Sequence, residues 1–341
     1  MTSVKRFRVE DEPTADTLGR GSFWFTDAYS VFDWGEMPDQ IPGKGQSLCT
    51  MGARTFELLS EAGIPTHYRG VGATSAPVQL ADCEEPPQEM AIELTTVPEL
   101  PFEDGTYDYG AFYDAVGSHY LIPLEIVFRN QVPIGSSLRK RTAPDDHGLD
   151  FTDWPDRAIE LDTPIVEFST KFEESDRYLD EGAADDIAGA ASLDALHDLA
   201  RSVNAVITSH AASMGLTHLD GKIECLYDNG TIKVADVTGT LDENRFAYDG
   251  HQLSKEVLRQ YYARTDPAWV GAVRDAKVSA REEGIADWHG LCDRTPAALP
   301  ESIRALASDM YRAGANTYID RPWFDAPALK TVVAELETID G

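Results

Sequence analysis

The stretch from Leu219 to Phe246, LDGKIECLYDNGTIKVADVTGTLDENRF, decides how the chain is read. Ile223, Tyr227, Ile232 and Val234 favour strands, and Asp228-Asn229-Gly230 is turn chemistry, so a β-hairpin is predicted. A three-residue loop needs a left-handed third residue, which Gly230 supplies without steric cost. That loop sets Tyr227 opposite Thr231, Leu226 opposite Ile232, Glu224 opposite Val234 and Lys222 opposite Asp236. Side chains alternate by two, so Lys222, Glu224 and Asp236 then share a face with Leu226, Ile232 and Val234. Charges on an apolar face are costly unless paired. A hard cation with an anionic substrate would pair them, and carboxylate oxygens suit magnesium. Charged hairpin residues more commonly line a solvated face. A two-residue Asn-Gly loop would also carry Asp236 opposite Ile223, away from Glu224. The residues alone leave both arrangements open.

Upstream, Leu121 to Arg141 reads LIPLEIVFRNQVPIGSSLRKR. Leu124, Ile126 and Phe128 alternate with Glu125, Val127 and Arg129, as in a strand. Arg129, Arg139, Lys140 and Arg141 put four bases in 13 residues, where the chain average gives about one. In so acidic a chain such a cluster asks for an anionic ligand. Gly135-Ser136-Ser137 adds backbone N–H and hydroxyl donors suited to a phosphate. The alternative is a basic surface spot paired with nearby acids.

Ile41-Pro42-Gly43-Lys44-Gly45 precedes a helix predicted from about Ser47, with Leu48, Met51, Thr55, Leu58 and Ala62 at helical spacing. Taken alone, it is a tight turn with an exposed lysine, and it lacks the spacing of a Walker A loop. A strand is predicted over Pro164 to Lys171 and a helix over Ser192 to Met214. Lys255 and Arg259 lie i,i+4 on one helix face. Further helices are predicted over Pro267 to Gly284, Pro300 to Gly314 and Pro327 to Glu337, packed down by Trp269, Trp288 and Trp323. This tail shows no recognisable chemistry. His67 and His119 have no partners at metal-ligand spacing and read as ordinary polar residues.

The chain has 341 residues, 59 acids and 29 bases, for a formal charge of -30. That charge repels nucleic acid and anionic membrane surfaces, so neither is an expected partner. Cys49, Cys83, Cys225 and Cys292 are far apart, without a CxxC, and read as free thiols. No apolar stretch approaches a membrane span and the N-terminus has no apolar leader core, so a cytoplasmic protein is expected.

The order D-x-K-x-E, hairpin, D, then D-x-x-R-F resembles the SAICAR synthetase (phosphoribosylaminoimidazole-succinocarboxamide synthase) family. Asp220, Lys222, Glu224, Asp236, Asp242 and Arg245 fall on its motif positions, and Pro123, Glu125, Val127, Arg129, Gly135 and Ser136 on a second. Thr26 to Asp33 resembles the family's T-D-R-x-S-A-F-D, with Ser30 and Asp33 matching and Tyr29 or Ala28 in place of its arginine. Lys44 matches I-P-G-K-G, and Lys171 and Asp176 match a further motif whose histidine is Ser175 here. Val237 replaces a glutamate, and only Lys5-Arg6-Phe7-Arg8 lies where the family's first ATP-contacting lysine belongs.

The resemblance implies an ATP-dependent ligase joining carboxyaminoimidazole ribotide to L-aspartate, with ATP and Mg2+ as cofactors. It implies magnesium on Glu224 and Asp236, and ATP contacts from Lys5, Ser30, Lys44 and Lys171. Lys222 and Asp220 would be catalytic, and Arg129, Ser136, Arg245, Lys255 and Arg259 would bind substrate. The implied fold is α+β, a SAICAR synthetase-like pair of lobes with antiparallel sheets, the second lobe ATP-grasp-like, plus C-terminal helices. Residues 1–121 would form the first lobe, 122–265 the catalytic lobe and 266–341 a helical extension, and an oligomer is compatible with all of this. Two other classes stay open. Asp220-Gly221-Lys222 also suits a small-molecule kinase of related architecture, and the departures at Tyr29, Ser175 and Val237 suit a nucleotide-binding homologue without catalysis.

The dispersed acids further suggest a halophilic protein of a high-salt cytoplasm, where screening tolerates self-repulsion. Far-UV circular dichroism should then show the fold weakening as potassium chloride is removed. Full retention of fold at low salt would contradict that expectation.

Overall fold

The computed structural model describes residues 4–103, 105–173, 176–285 and 287–340. Ser175 lies outside the described residues. Strands β1 (Lys5–Asp11), β2 (Gly19–Phe25), β3 (Tyr68–Val71) and β4 (Glu89–Leu94) make an antiparallel sheet in the order β1-β2-β4-β3. Helix α1 (Lys44–Glu61) covers it, burying Leu48, Met51, Phe56 and Leu59. It starts three residues before Ser47 because Asp27 caps its first turn, accepting from the Gly43 and Gly45 N–H groups at 3.1 and 2.9 Å. The negative charge that a helix N-terminus favours is supplied here by the chain's own carboxylate.

A short ribbon, β5 (Phe102–Glu103) with β6 (Thr106–Tyr107), and helix α2 (Tyr109–Ala115) lead into the second sheet. Its strands are β7 (His119–Val132), β8 (Ile159–Thr170), β9 (Tyr178–Leu179), β10 (Thr217–Asp228), β11 (Thr231–Ala235), β12 (Asn244–Tyr248) and β13 (His251–Leu253). The order is β13-β12-β10-β7-β8-β9, with β11 on the outer half of β10. Three helices interrupt the strands: α3 (Leu138–Arg141), α4 (Glu181–Ala188) and α5 (Leu193–Ser213). Ser192 caps α5, whose Leu196, Ala200, Val203 and Ile207 are buried behind β7, β8 and β10. A buried polar chain ties this layer together: Asn130 donates to Asn204 at 3.0 Å, Thr208 meets His218 at 2.8 Å, and His218 meets Asn244 at 3.0 Å. Gly221 is required beside it, because a Cβ there would overlap the Asn244 amide.

The predicted hairpin exists, but its loop has two residues. Asp228 faces Thr231, Tyr227 faces Ile232 and Glu224 faces Ala235, one step from the expected register. Asn229 and Gly230 both have positive φ, 46° and 96°, which is the twist-matched two-residue turn. Carried on regularly, that register would turn Asp236 away from Glu224. The strand instead ends at Ala235, and Asp236 takes a left-handed φ of 54°. The kink returns its carboxylate to the side of Glu224 and Lys5.

Helices α6 (Glu256–Thr265), α7 (Pro267–Glu283), α8 (Glu301–Ile319) and α9 (Leu329–Asp340) close the chain. Trp269 is fully buried between Phe32, Trp34 and Tyr262, and Trp288 is buried against Trp34. Trp323 is half-buried under Arg321. Helix α8 lies along α1, and one apolar core runs through both sheets and these helices. All four cysteines are free. Among the described residues, no helix is long and apolar enough to cross a membrane.

Candidate active site

The central strands carry an unusual set of charges on one face. Across the β7–β10 ladder Glu125 stands opposite Glu224, and Arg129 opposite Asp220. Two carboxylates directly opposed repel each other, and lysines resolve this. Lys222 donates to Glu125 at 2.6 Å and lies 3.4 Å from Glu243. Lys171, at the end of β8, donates to Glu224 and lies 3.9 Å from Glu125. Lys5, from the first strand of the other sheet, pairs with Asp236. Lys255 adds its charge beside Glu243 and Asp242. Lys5, Lys171, Lys222 and Lys255 are thus gathered with Glu125, Glu224, Asp236 and Glu243.

Burial and mutual charge set the protonation of this cluster. Glu224 is pushed up to about 7, first by burial and then by Asp236, with Lys171 and Lys222 pulling the other way. Against burial, Lys5 and then Lys171 together hold Asp236 below its usual range. Glu243 is held well below the carboxylate range against burial, by Lys222 and then Lys255, Lys5 and Lys171. Asp176 is pushed up to about 6 by burial and then by Glu125. Burial lowers Lys255, whereas Glu243 and Glu125 raise Lys222 in spite of burial. Near neutral pH Glu224 is therefore partly protonated, beside an ionised Asp236.

The donors suit a divalent cation in chemistry. Glu224 and Asp236 offer hard carboxylate oxygens, and Glu243 Oε2 is buried without a hydrogen-bond partner. Among the described residues, no three donor side chains already converge on one point. Magnesium takes one or two carboxylates and completes its shell with water and substrate oxygens, so two suffice. A cation here would displace ammonium groups from Glu224 and Asp236.

A second group adjoins the first through Asp220. Arg129 is buried, donates to Glu167 at 2.6 Å and lies 3.6 Å from Asp220. Arg245 donates to Asp220 at 2.7 Å and reaches Glu256 at 3.5 Å, which also pairs with Arg259 at 3.2 Å. Arg141 pairs with Glu167 and lies 3.4 Å over the Tyr178 ring. Arg259 and Glu256 also border a groove of about 570 Å³ shared with Asp33, Val273 and Lys277. Lys277 donates to Asp33 at 2.6 Å, joining α7 to the left-handed turn at Phe32 and Asp33.

Not every expected residue faces this cleft. The Lys44 side chain, read from sequence as exposed and as an ATP contact, is sealed inside, where it donates to Asp242 at 2.7 Å. Its place at the buried start of α1 is the physical reason. Ser30 is half-buried in the loop that Tyr29 anchors by hydrogen bonds of 2.8 Å to Asp39 and Tyr262. The Ser136 hydroxyl accepts from Leu138 N at 3.3 Å in the turn after β7. Arg139 is structural, donating to the carbonyls of Val132, Pro155 and Arg157. Val237, where the family has glutamate, is core beside Gly52. Glu125, Asp176 and Glu243 have no role legible from the sequence, and His67 reads there as an ordinary polar residue. His67 is buried, held down to about 4 by burial, and meets the Asp236 carbonyl at 2.9 Å.

This α+β fold sets a lysine–carboxylate cluster beside an arginine group, an arrangement chemically suited to anionic ligands. The family model for SAICAR synthetase matches residues 14–276. An Archaeoglobus fulgidus chain, provisionally named a phosphoribosylaminoimidazole-succinocarboxamide synthase, is 41% identical over 99% of both chains. A Thermoplasma acidophilum phosphoribosylaminoimidazole-succinocarboxamide synthase is 30% identical over 95% of this chain and 100% of its own. The solved Saccharomyces cerevisiae SAICAR synthase complexed with SAICAR is 19% identical, covers 95% of this chain and 94% of its own, and superposes with a TM-score of 0.60. The chain belongs to the SAICAR synthetase family.

The cluster makes a direct spectroscopic prediction. Carbon-13 NMR of the metal-free protein should show one glutamate carboxyl titrating near pH 7, and Glu224→Gln should remove it. A folded-state pKa raised above the free value means that this group's stabilisation is full below about pH 4.3 and lost as pH rises through 7. A Glu224 signal titrating near 4 would contradict the burial and charge argument.

Proposed function

We propose that this chain is the ATP-dependent ligase that joins the carboxylate of carboxyaminoimidazole ribotide to the amine of L-aspartate, releasing ADP and phosphate. The observation that carries it is the lysine–carboxylate cluster on β7, β8 and β10, next to the arginines held by Asp220. A carboxylate is a poor acyl donor because oxide leaves badly. Phosphoryl transfer to it gives an acyl phosphate, from which phosphate departs when the aspartate amine attacks. Such transfers depend on positioned positive charge.

Lys222 lies beside the reacting carboxylate, with Asp220 fixing the strand's arginine side. Lys171 and Lys5 face the transferring phosphoryl group. Arg129, Arg245, Lys255 and Arg259, with Ser136, hold the nucleotide phosphate and the second substrate's carboxylates. Their present carboxylate partners keep these cations in place and yield them to the substrate. Glu224 and Asp236 would hold magnesium, which supplies charge neutralisation to the nucleotide phosphates. A solved SAICAR synthetase carries ADP, which supports the nucleotide side of this reading. The reaction belongs to purine biosynthesis, and we place it in the cytoplasm. We keep the high-salt setting as our reading of the -30 charge. The kinase alternative draws on Asp220-Gly221-Lys222 alone, whereas the family match spans 14–276.

Glu224→Ala and Asp236→Ala should each abolish magnesium-dependent ATP use, by at least about a hundredfold, with the circular dichroism spectrum unchanged. Near-normal rates in both variants would remove the hairpin from the active site.

A further inference from the structure

Helix α8 lies beyond the segment matched by the family model, yet its Tyr311 reaches Asp242, which neighbours Lys255 of the charged cluster. We infer that Tyr311 is a positioning residue of the ligase: through Asp242 it fixes the 240–243 turn, and with it Lys222, Lys255 and Glu243. The inference rests on the ligase reading of the site.

The geometry is specific. Tyr311 is completely buried, and its hydroxyl donates to Asp242 Oδ1 at 2.6 Å. Lys44 donates to the other oxygen at 2.7 Å. Each oxygen of Asp242 is thus held by a different helix, α8 and α1. The Tyr311 ring also lies 5.4 Å from the Lys44 ammonium. Burial and Asp242 keep the phenol protonated far above neutral pH, so it stays a donor. One turn earlier, Ser308 donates to the Pro42 carbonyl at 2.6 Å. Arg312 fills the space where a Cβ on Gly43 would sit. Helix α8 therefore clamps both the turn before α1 and the turn that carries Asp242.

That second turn is what aligns the reacting charges. Lys222 N donates to the Glu243 carbonyl at 3.2 Å, and Lys255 N to the Leu241 carbonyl at 3.1 Å. Asn244 N closes the turn on Thr240 O at 2.8 Å. The Glu243 carboxylate then faces Lys222 at 3.4 Å. Any tilt of the Asp242 carboxylate moves two lysine backbones and one acid together. A shift of about 1 Å in such groups costs up to about a hundredfold in rate. The backbone link to Lys222 and Lys255 is the reason a buried tyrosine in the tail bears on chemistry and not only on packing.

Tyr311→Phe keeps the ring and removes only the hydroxyl. Steady-state kinetics with ATP, aspartate and carboxyaminoimidazole ribotide should show kcat falling about tenfold or more. Any rise in KM should be smaller than the fall in kcat, because Arg129, Arg245 and Arg259 hang from other anchors and, of the substrate-binding cations, Lys255 alone is tied to this turn. Asp242→Asn should lose kcat alike, and the double variant should be no slower than the worse single one, since the two act as a unit. The melting temperature of Tyr311→Phe should stay within a few degrees of wild type. Wild-type kcat in Tyr311→Phe, losses that multiply in the double variant, or a uniform loss of kcat and KM with a lowered melting temperature would each overturn the inference. Product from wild type and Tyr311→Phe at equal kcat sinks only this inference. No product from the wild type sinks the ligase reading and this inference with it.

Discussion

Mutual neutralisation of buried carboxylates and half-buried lysines is the constraint on which the structure turns. A lone buried charge costs several kcal/mol, and breaking one partner of a buried pair costs about 3–5 kcal/mol. Glu125 and Glu224 are opposed across the central ladder, where either alone would be unfavourable. Lys171 and Lys222 make the arrangement tolerable. The same pairs hold those lysines at defined points before any substrate arrives. Fixed charges need no reorganisation when charge develops in the reaction, which is where such a cluster gains its catalytic value.

The rest of the fold can be understood as support for that face. Strands β7, β8 and β10 place four of the charges by simple alternation, with α5 packed behind them. The first sheet contributes Lys5 to Asp236, and His67 N donates to the Val234 carbonyl at 3.0 Å, so the two sheets share one end of the cleft. The C-terminal helices approach from below through the buried Asp242. A chain with 59 acids and 29 bases still gathers its lysines and arginines here. Its overall charge repels anions, so local pairing geometry must retain a phosphorylated guest.

Much of this was legible in the residues. The hairpin, β7, α5 and the C-terminal helices follow from periodicity, caps and turn chemistry. Of the two hairpin registers that the residues leave open, the structure takes the two-residue Asn-Gly loop; Asn-Gly and Asp-Asn-Gly loops share the same letters and differ only in backbone twist. Glu224 and Asp236 still meet, owing to a left-handed aspartate that alternation does not foresee. Lys44 looked exposed because its partners Asp242 and Tyr311 lie 198 and 267 positions away. Glu243 and His67 were invisible for the same reason: their meaning comes from what folds against them, and neither sits at a recognisable spacing.

The central claim is that these charges serve a condensation of two acids driven by ATP. ADP release, followed with ATP, carboxyaminoimidazole ribotide and aspartate and with each omitted in turn, tests it most directly. The account predicts sustained ADP release only when all three are present, in step with the succinocarboxamide formed. Sustained ADP release at the full rate without aspartate would contradict it.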